Sequence, residues 1–187
     1  MVGNSRTILE KAESGECGIG FVEHPGSLGA LSHATVRHDQ LRVIAPLNHR
    51  WTRRTRPVTP TKLATTPLVI REEGSGTRAT LAAGLAEALG AQAPATPNPV
   101  LEAGTNAAVL ASVIAGAGPG VLSELVVADP IAKQQVVPIE IDGLQLKRPL
   151  RAVWIPGFLG PAASGFLDSV RAEQRCEAGG SVNGVRA

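Results

Sequence analysis

Pro67-Leu68-Val69-Ile70-Arg71-Glu72-Glu73-Gly74-Ser75-Gly76-Thr77-Arg78, residues 67–78, joins a short β-branched apolar run to an Ala/Leu-rich stretch through a glycine turn. Leu68 to Ile70 reads as a buried strand, and Gly74-Ser75-Gly76-Thr77 as the turn opening a helix that ends at Gly90. Downstream the order recurs. Ala91 to Pro99, with three prolines, reads as a surface connection, and a brief strand follows around Leu101. Gly104-Thr105-Asn106 then starts a second helix that stops at Gly116, and Gly120 to Ser123 turns extended again. Val136 to Ile141 and Leu150 to Ile155 are strand candidates, and Pro161 to Arg175 is a closing helix with Phe166, Leu167 and Val170 on one face.

Upstream, Asn4 or Ser5 can cap a helix over Ser5 to Glu13, with Gly15 suited to a left-handed stop, and Gly18 to Val22 is extended. Leu41 to Ala45 is strand-like and closed by Pro46, Asn48 to Arg56 reads as a loop, and Pro60 opens a short helix behind Thr59. Strands and helices alternate. That alternation predicts an α/β fold with a parallel sheet, whose ligands lie where strands end and helices begin.

Composition narrows the partners. In 187 residues, 18 basic side chains stand against 16 acidic ones, so no overall field draws the chain to nucleic acid or an anionic membrane. The apolar run Val121 to Ala128 is interrupted by Ser123 and Glu124, too short to cross a bilayer. Met1 to Lys11 lacks the apolar core of a signal peptide, and Cys17 and Cys176 are far apart without CxxC spacing. A reducing cytoplasm is the expected compartment.

Three junctions carry the candidate chemistry: Gly3-Asn4-Ser5, Gly74-Ser75-Gly76-Thr77 and Gly104-Thr105-Asn106. Each leaves backbone N–H groups unpaired at a positive helix end, where a carboxylate or phosphate binds well. Plain N-capping explains any one junction by itself, whereas the recurrence points to a shared anion site. No Walker lysine follows Gly76, and Gly116 to Gly120 runs from helix to strand, the wrong order for a dinucleotide fingerprint. His24, His33 and His38 match no metal-ligand spacing and read as loop histidines. No GxSxG elbow or paired nucleophile and base is visible, so no catalytic residue, metal or cofactor is expected. The basic segment His49 to Arg56, with Trp51 inside it, reads as a solvated loop rather than a nucleic-acid contact.

Gly18-Ile19-Gly20-Phe21-Val22-Glu23, Asp39 to Ile44 with His49, Pro57-Val58-Thr59-Pro60, and above all residues 67–78 resemble LysR-type effector domains in order and spacing. Gly104-Thr105-Asn106 with Val113 to Gly120, and Arg148-Pro149-Leu150 with Phe166-Leu167, extend the resemblance over roughly residues 2 to 172. Cys17, His24 and Pro119 depart from the family's usual residues. The resemblance implies a two-lobe, Rossmann-like fold of the type 2 periplasmic-binding-protein kind, with a small carboxylate or inorganic anion held between the lobes. Residues 1–45 would form part of a first lobe, 46–147 the second, 148–175 the return strand and closing helix of the first, and 176–187 a disordered tail. Effector contacts are expected from Ser5, Val22, Gly74, Ser75, Gly76, Thr77, Thr105 and Asn106. Family members also carry a helix-turn-helix, and a strand and helix of the first lobe, ahead of the position matching Val2; on that comparison the first lobe here is incomplete. DNA would be met only through that helix-turn-helix, and the oligomerisation known in the family is in doubt. A free-standing small-molecule binding protein of the same fold, and a non-functional regulator fragment, are the alternatives.

Overall fold

Two long antiparallel strands form the spine of the molecule. β2 (Ser32–Ala45) and β7 (Leu146–Trp154) pair from Ser32 opposite Trp154 to Leu41 opposite Leu146 in a computed structural model that describes residues 1–94 and 98–179. β1 (Gly20–Val22) adds to the outer edge of β7, antiparallel. Beyond β2 come β5 (Gly120–Ser123), β3 (Leu68–Arg71) and β4 (Pro99–Ala103), giving the order β1-β7-β2-β5-β3-β4. A further short strand, β6 (Val137–Ile139), pairs with the end of β2.

The sheet is therefore mixed rather than parallel. Among the described strands, β3 with β4 and β3 with β5 run parallel, as crossovers through helices require, and an isolated parallel bridge joins Val58 to Ile141. The chain traverses the sheet once along β2 and returns along β7, so their ladder must be antiparallel. The first part of β2, residues 32–40, escapes a reading by hydrophobic alternation for two reasons. Most of its side chains are polar and at least partly exposed, and the register shifts between Thr35 and Arg37.

Among the described residues, six α-helices complete the fold. α1 (Ser5–Glu13) is capped by Asn4, α2 (Pro60–Ala64) by Thr59, α3 (Gly76–Leu89) by Ser75 and α4 (Asn106–Ile114) by Thr105. α5 (Glu124–Ala132) was hidden in the sequence by Pro130 near its end, yet Ser123 caps it and Val127 anchors it. α6 (Pro161–Gly179) continues past Arg175, so residues 176–179 of the expected disordered tail are helical; residues 180–187 lie outside the described residues. In the expected connection from Ala91 to Pro99, residues 90–92 form a 3₁₀ turn, residues 95–97 lie outside the described residues, and Pro99 opens β4. Proline is tolerated there because it is the first residue of an edge strand.

Strand alternation builds the core in layers. Leu68 and Ile70 of β3 point with Val43 and Val121 into a cluster closed by Leu63, Leu81 and Leu85, while Val69 points the other way to meet Ile44, Leu122, Val109 and Val113. β7 does the same: Val153 packs with Ile8, Ala12 and Val22 beneath α1, and Ala152 with Val36 and Leu167 beneath α6.

Candidate functional site

The start of α1 is docked on the turn that precedes α3. The Arg6 backbone N–H donates to the Gly74 carbonyl at 3.1 Å, and Asn4 Nδ2 donates to Glu72 Oε1 and to the Glu73 carbonyl, each at 3.3 Å. Gly74 has φ +89°, a left-handed conformation that glycine adopts without strain. At Gly76 the reason for glycine is space: a Cβ there would stand 2.5 Å from the Glu23 carbonyl oxygen and 2.9 Å from Ser5 Oγ. Ser5 Oγ in turn accepts from the Glu23 backbone N–H at 3.3 Å. Thus Ser5, Gly74, Gly76 and the end of β1 at Val22 converge on one place.

Ser75 and Thr77 are buried there with different tasks. Ser75 Oγ accepts from the Thr77 N–H, an N-cap, and Thr77 Oγ1 accepts from Arg148 Nη1 at 2.9 Å. Arg148 is fully buried on β7 and is flanked by Asp39 at 2.7 Å and Glu23 at 2.8 Å. Ser123 Oγ donates to the other oxygen of Asp39 at 2.9 Å. A polar network therefore ties the ends of β1 and β5 and the start of α3 to the β2–β7 spine. Among the described residues, neither the Gly76 nor the Arg78 backbone N–H has a protein acceptor, so the positive end of α3 keeps two free donors.

Thr105 and Asn106 stand apart. Thr105 is exposed and its Oγ1 caps α4 by accepting from the Ala108 N–H at 3.1 Å. Asn106 reaches the other junctions through a relay: its Oδ1 accepts from Arg71 Nη1 at 2.5 Å, Arg71 pairs with Glu72 at 2.7 Å, and Glu72 accepts from Asn4. Burial tends to raise the Glu72 carboxyl, but hydrogen bonds from Arg71, from its own backbone and from Asn4, with the Arg71 charge, leave it below its ordinary value. All three junctions are thereby connected, although only the first two touch.

Beside this meeting point lies a groove of 580 Å³ bordered by Arg6, His24, Glu73, Gly74, Ser75 and Arg78. Burial and then the Arg151 charge push His24 below the usual histidine range, which favours a neutral imidazole on the rim. A larger hollow of 760 Å³ lies on the opposite stretch of β2, around Arg42, Pro57, Glu124 and Ile139, and touches none of the junctions.

The structure also places the remaining candidates. No cluster of three metal-binding side chains exists among the described residues, and His33 and His38 are exposed on β2. In the basic segment, Arg50–Arg53 form a 3₁₀ turn rather than a loop, and Trp51 is only 3% exposed, packed in the core instead of free to stack on a base. Arg148, Asp39 and Glu23, the polar centre of the site, were missed as site residues. Each sits in or beside a strand where sequence shows a charge without its partner, and the contacts of Asp39 and Glu23 with Arg148 span more than a hundred residues.

The family model for the LysR substrate binding domain matches residues 1–175. The chain belongs to this family. An uncharacterized HTH-type transcriptional regulator of Mycobacterium tuberculosis is 41% identical over 161 residues, covering 86% of this chain and 51% of that protein. The LysR-type chain thus spans about half the length of such relatives. Among solved structures, the Synechocystis CcmR regulatory domain in complex with 2-PG matches with a TM-score of 0.75 at 24% identity, covering 91% of this chain and 79% of that one. The QuiR effector binding domain in complex with shikimate matches with a TM-score of 0.76 at 14% identity, covering 92% and 79%. These likenesses establish the regulatory-domain fold, shared with periplasmic-binding-protein-like neighbours such as a phosphate-binding protein of Clostridium perfringens. No helix among the described residues is long and apolar enough to cross a membrane.

Proposed function

We propose that this LysR-type domain senses a small anionic effector held between two lobes, at residues 1–45 with 148–175 and at residues 46–147. The observation that carries the reading is the abutment of two helix starts. α1 is docked on the Gly74 carbonyl while α3 keeps the Gly76 and Arg78 amides free beside the groove. Gly74 and Ser75 line the groove, Ser5, Val22, Gly76 and Thr77 lie buried behind them, and Thr105 and Asn106 connect through the Arg71 relay. The effector is a carboxylate or an inorganic anion. The domain's role is read as sensing, which the match to a family of transcriptional regulators supports. In a longer cytoplasmic regulator, closure on the effector would bias the arrangement of attached DNA-binding domains.

An amide-resolved NMR titration with inorganic phosphate, sulfate, 2-PG and shikimate tests the reading. A binding anion shifts the Gly76 and Arg78 amides, and Ser75→Ala weakens it about ten- to a hundredfold, the cost of a bond to a charged ligand. Saturable binding that leaves Gly74 to Arg78 unmoved places the site elsewhere.

A further inference from the structure

Arg148 is neutralised once by Asp39 and contacted a second time by Glu23. Asp39 Oδ2 accepts from Nε at 2.9 Å and from Nη2 at 2.7 Å, and Thr77 Oγ1 takes Nη1. That arrangement compensates the charge and gives each guanidinium nitrogen one partner, using three of its five N–H donors. Glu23 Oε2 then lies 2.8 Å from Nη1 without hydrogen-bond alignment, and adds a second negative charge to a cation already compensated. The two carboxylates also differ in access: the Asp39 side chain is 9% exposed and the Glu23 side chain 40%. Glu23 is therefore the replaceable partner, a half-exposed carboxylate covering a guanidinium that is itself fully buried.

The backbone of Glu23 is fixed independently of its side chain. Its N–H is held by Ser5 Oγ and its carbonyl abuts Gly76, so the carboxylate can swing away without disturbing β1. We propose that Arg148 is the receptor for the effector's carboxylate or phosphate group, and that Glu23 is a built-in occupant which the effector displaces. The exchange replaces one anionic oxygen by another, so the buried charge count is preserved while Glu23 gains hydration. This inference rests on the reading of the cleft as an anion site.

NMR of the arginine side chains tests it, with the Arg148 Nε–H signal assigned by its loss in Arg148→Lys. Inorganic phosphate and shikimate, one phosphate and one carboxylate, are titrated into the unaltered chain and into Glu23→Gln. The expected result is a shift of the Arg148 signal and binding tightened about tenfold or more in Glu23→Gln by at least one of the two anions. Glu23→Asp, whose shorter side chain withdraws the carboxylate, is the second variant and should tighten binding in the same direction. Equal or weaker binding in both variants overturns the proposal. A shift of Gly76 and Arg78 with Arg148 unmoved overturns it too, while leaving the cleft reading intact. If no signal at Gly76, Arg78 or Arg148 moves in any of these proteins, both fall.

Discussion

Asp39 of β2 and Arg148 of β7 are direct partners in the antiparallel ladder, and their side chains meet on one face of it with two hydrogen bonds to a single carboxylate oxygen. Register and chemistry coincide, because opposed residues in such a ladder project to the same side. A slip by one residue would take the Asp39 carboxylate off Arg148 and leave Glu23 as its counter-charge.

Asp39→Ala should therefore be destabilising, by less than the about 3–5 kcal/mol for fully orphaning a buried charge, because Glu23 stays 2.8 Å from Arg148. Urea unfolding measures it. The double change Asp39→Ala with Arg148→Met should recover much of the loss, since the buried guanidinium that lost two hydrogen bonds is removed as well; a double variant as unstable as Asp39→Ala would assign the cost to packing instead.

Gly76→Ala tests the close approach of α3 to the end of β1. The added methyl meets backbone, the Glu23 carbonyl, which cannot turn aside as a side chain can. A loss of about 1–3 kcal/mol in thermal unfolding is expected, as for other overpacked sites. At Gly84 the nearest obstacle is the end of the Leu146 side chain, so Gly84→Ala should cost less. Equal costs would contradict this distinction.

The relay through Glu72 predicts an acid-sensitive contribution to stability. Its folded carboxyl titrates below the ordinary value, so the unfolded chain takes up the proton first as pH falls. The contribution is present above the ordinary carboxylate range and is lost as pH drops through the lowered folded value. Melting curves across acidic pH should show a smaller decline for Glu72→Gln than for the unaltered chain, and parallel curves would remove Glu72 from the relay's energetics.

Hydrogen exchange separates the spine from the edge. In the structure Val153 lies between Gly20 and His33 in the sheet and is fully buried, whereas Ile19 precedes β1. Val153 should exchange as slowly as Val69, and Ile19 much faster. Rapid exchange at Val153 would mean that the β2–β7 spine opens at its far end.

Local chemistry made much of the fold legible. Asn4, Thr59, Ser75 and Thr105 announced four helix starts, and each caps its helix as a short-range preference requires. The motif Gly74-Ser75-Gly76-Thr77 carried the family and the strand-turn-helix unit, because glycine conformations and caps depend on neighbours in the chain. The sequence by itself thus determined the α/β class, the LysR likeness and the candidate junctions. Only the tertiary structure decided the mixed sheet, the polar half of β2, and the meeting of Asp39, Glu23, Thr77 and Arg148. Those facts depend on which strands lie side by side, and a charged residue reads as solvent-exposed until the partner that allows its burial is brought from a distant part of the chain.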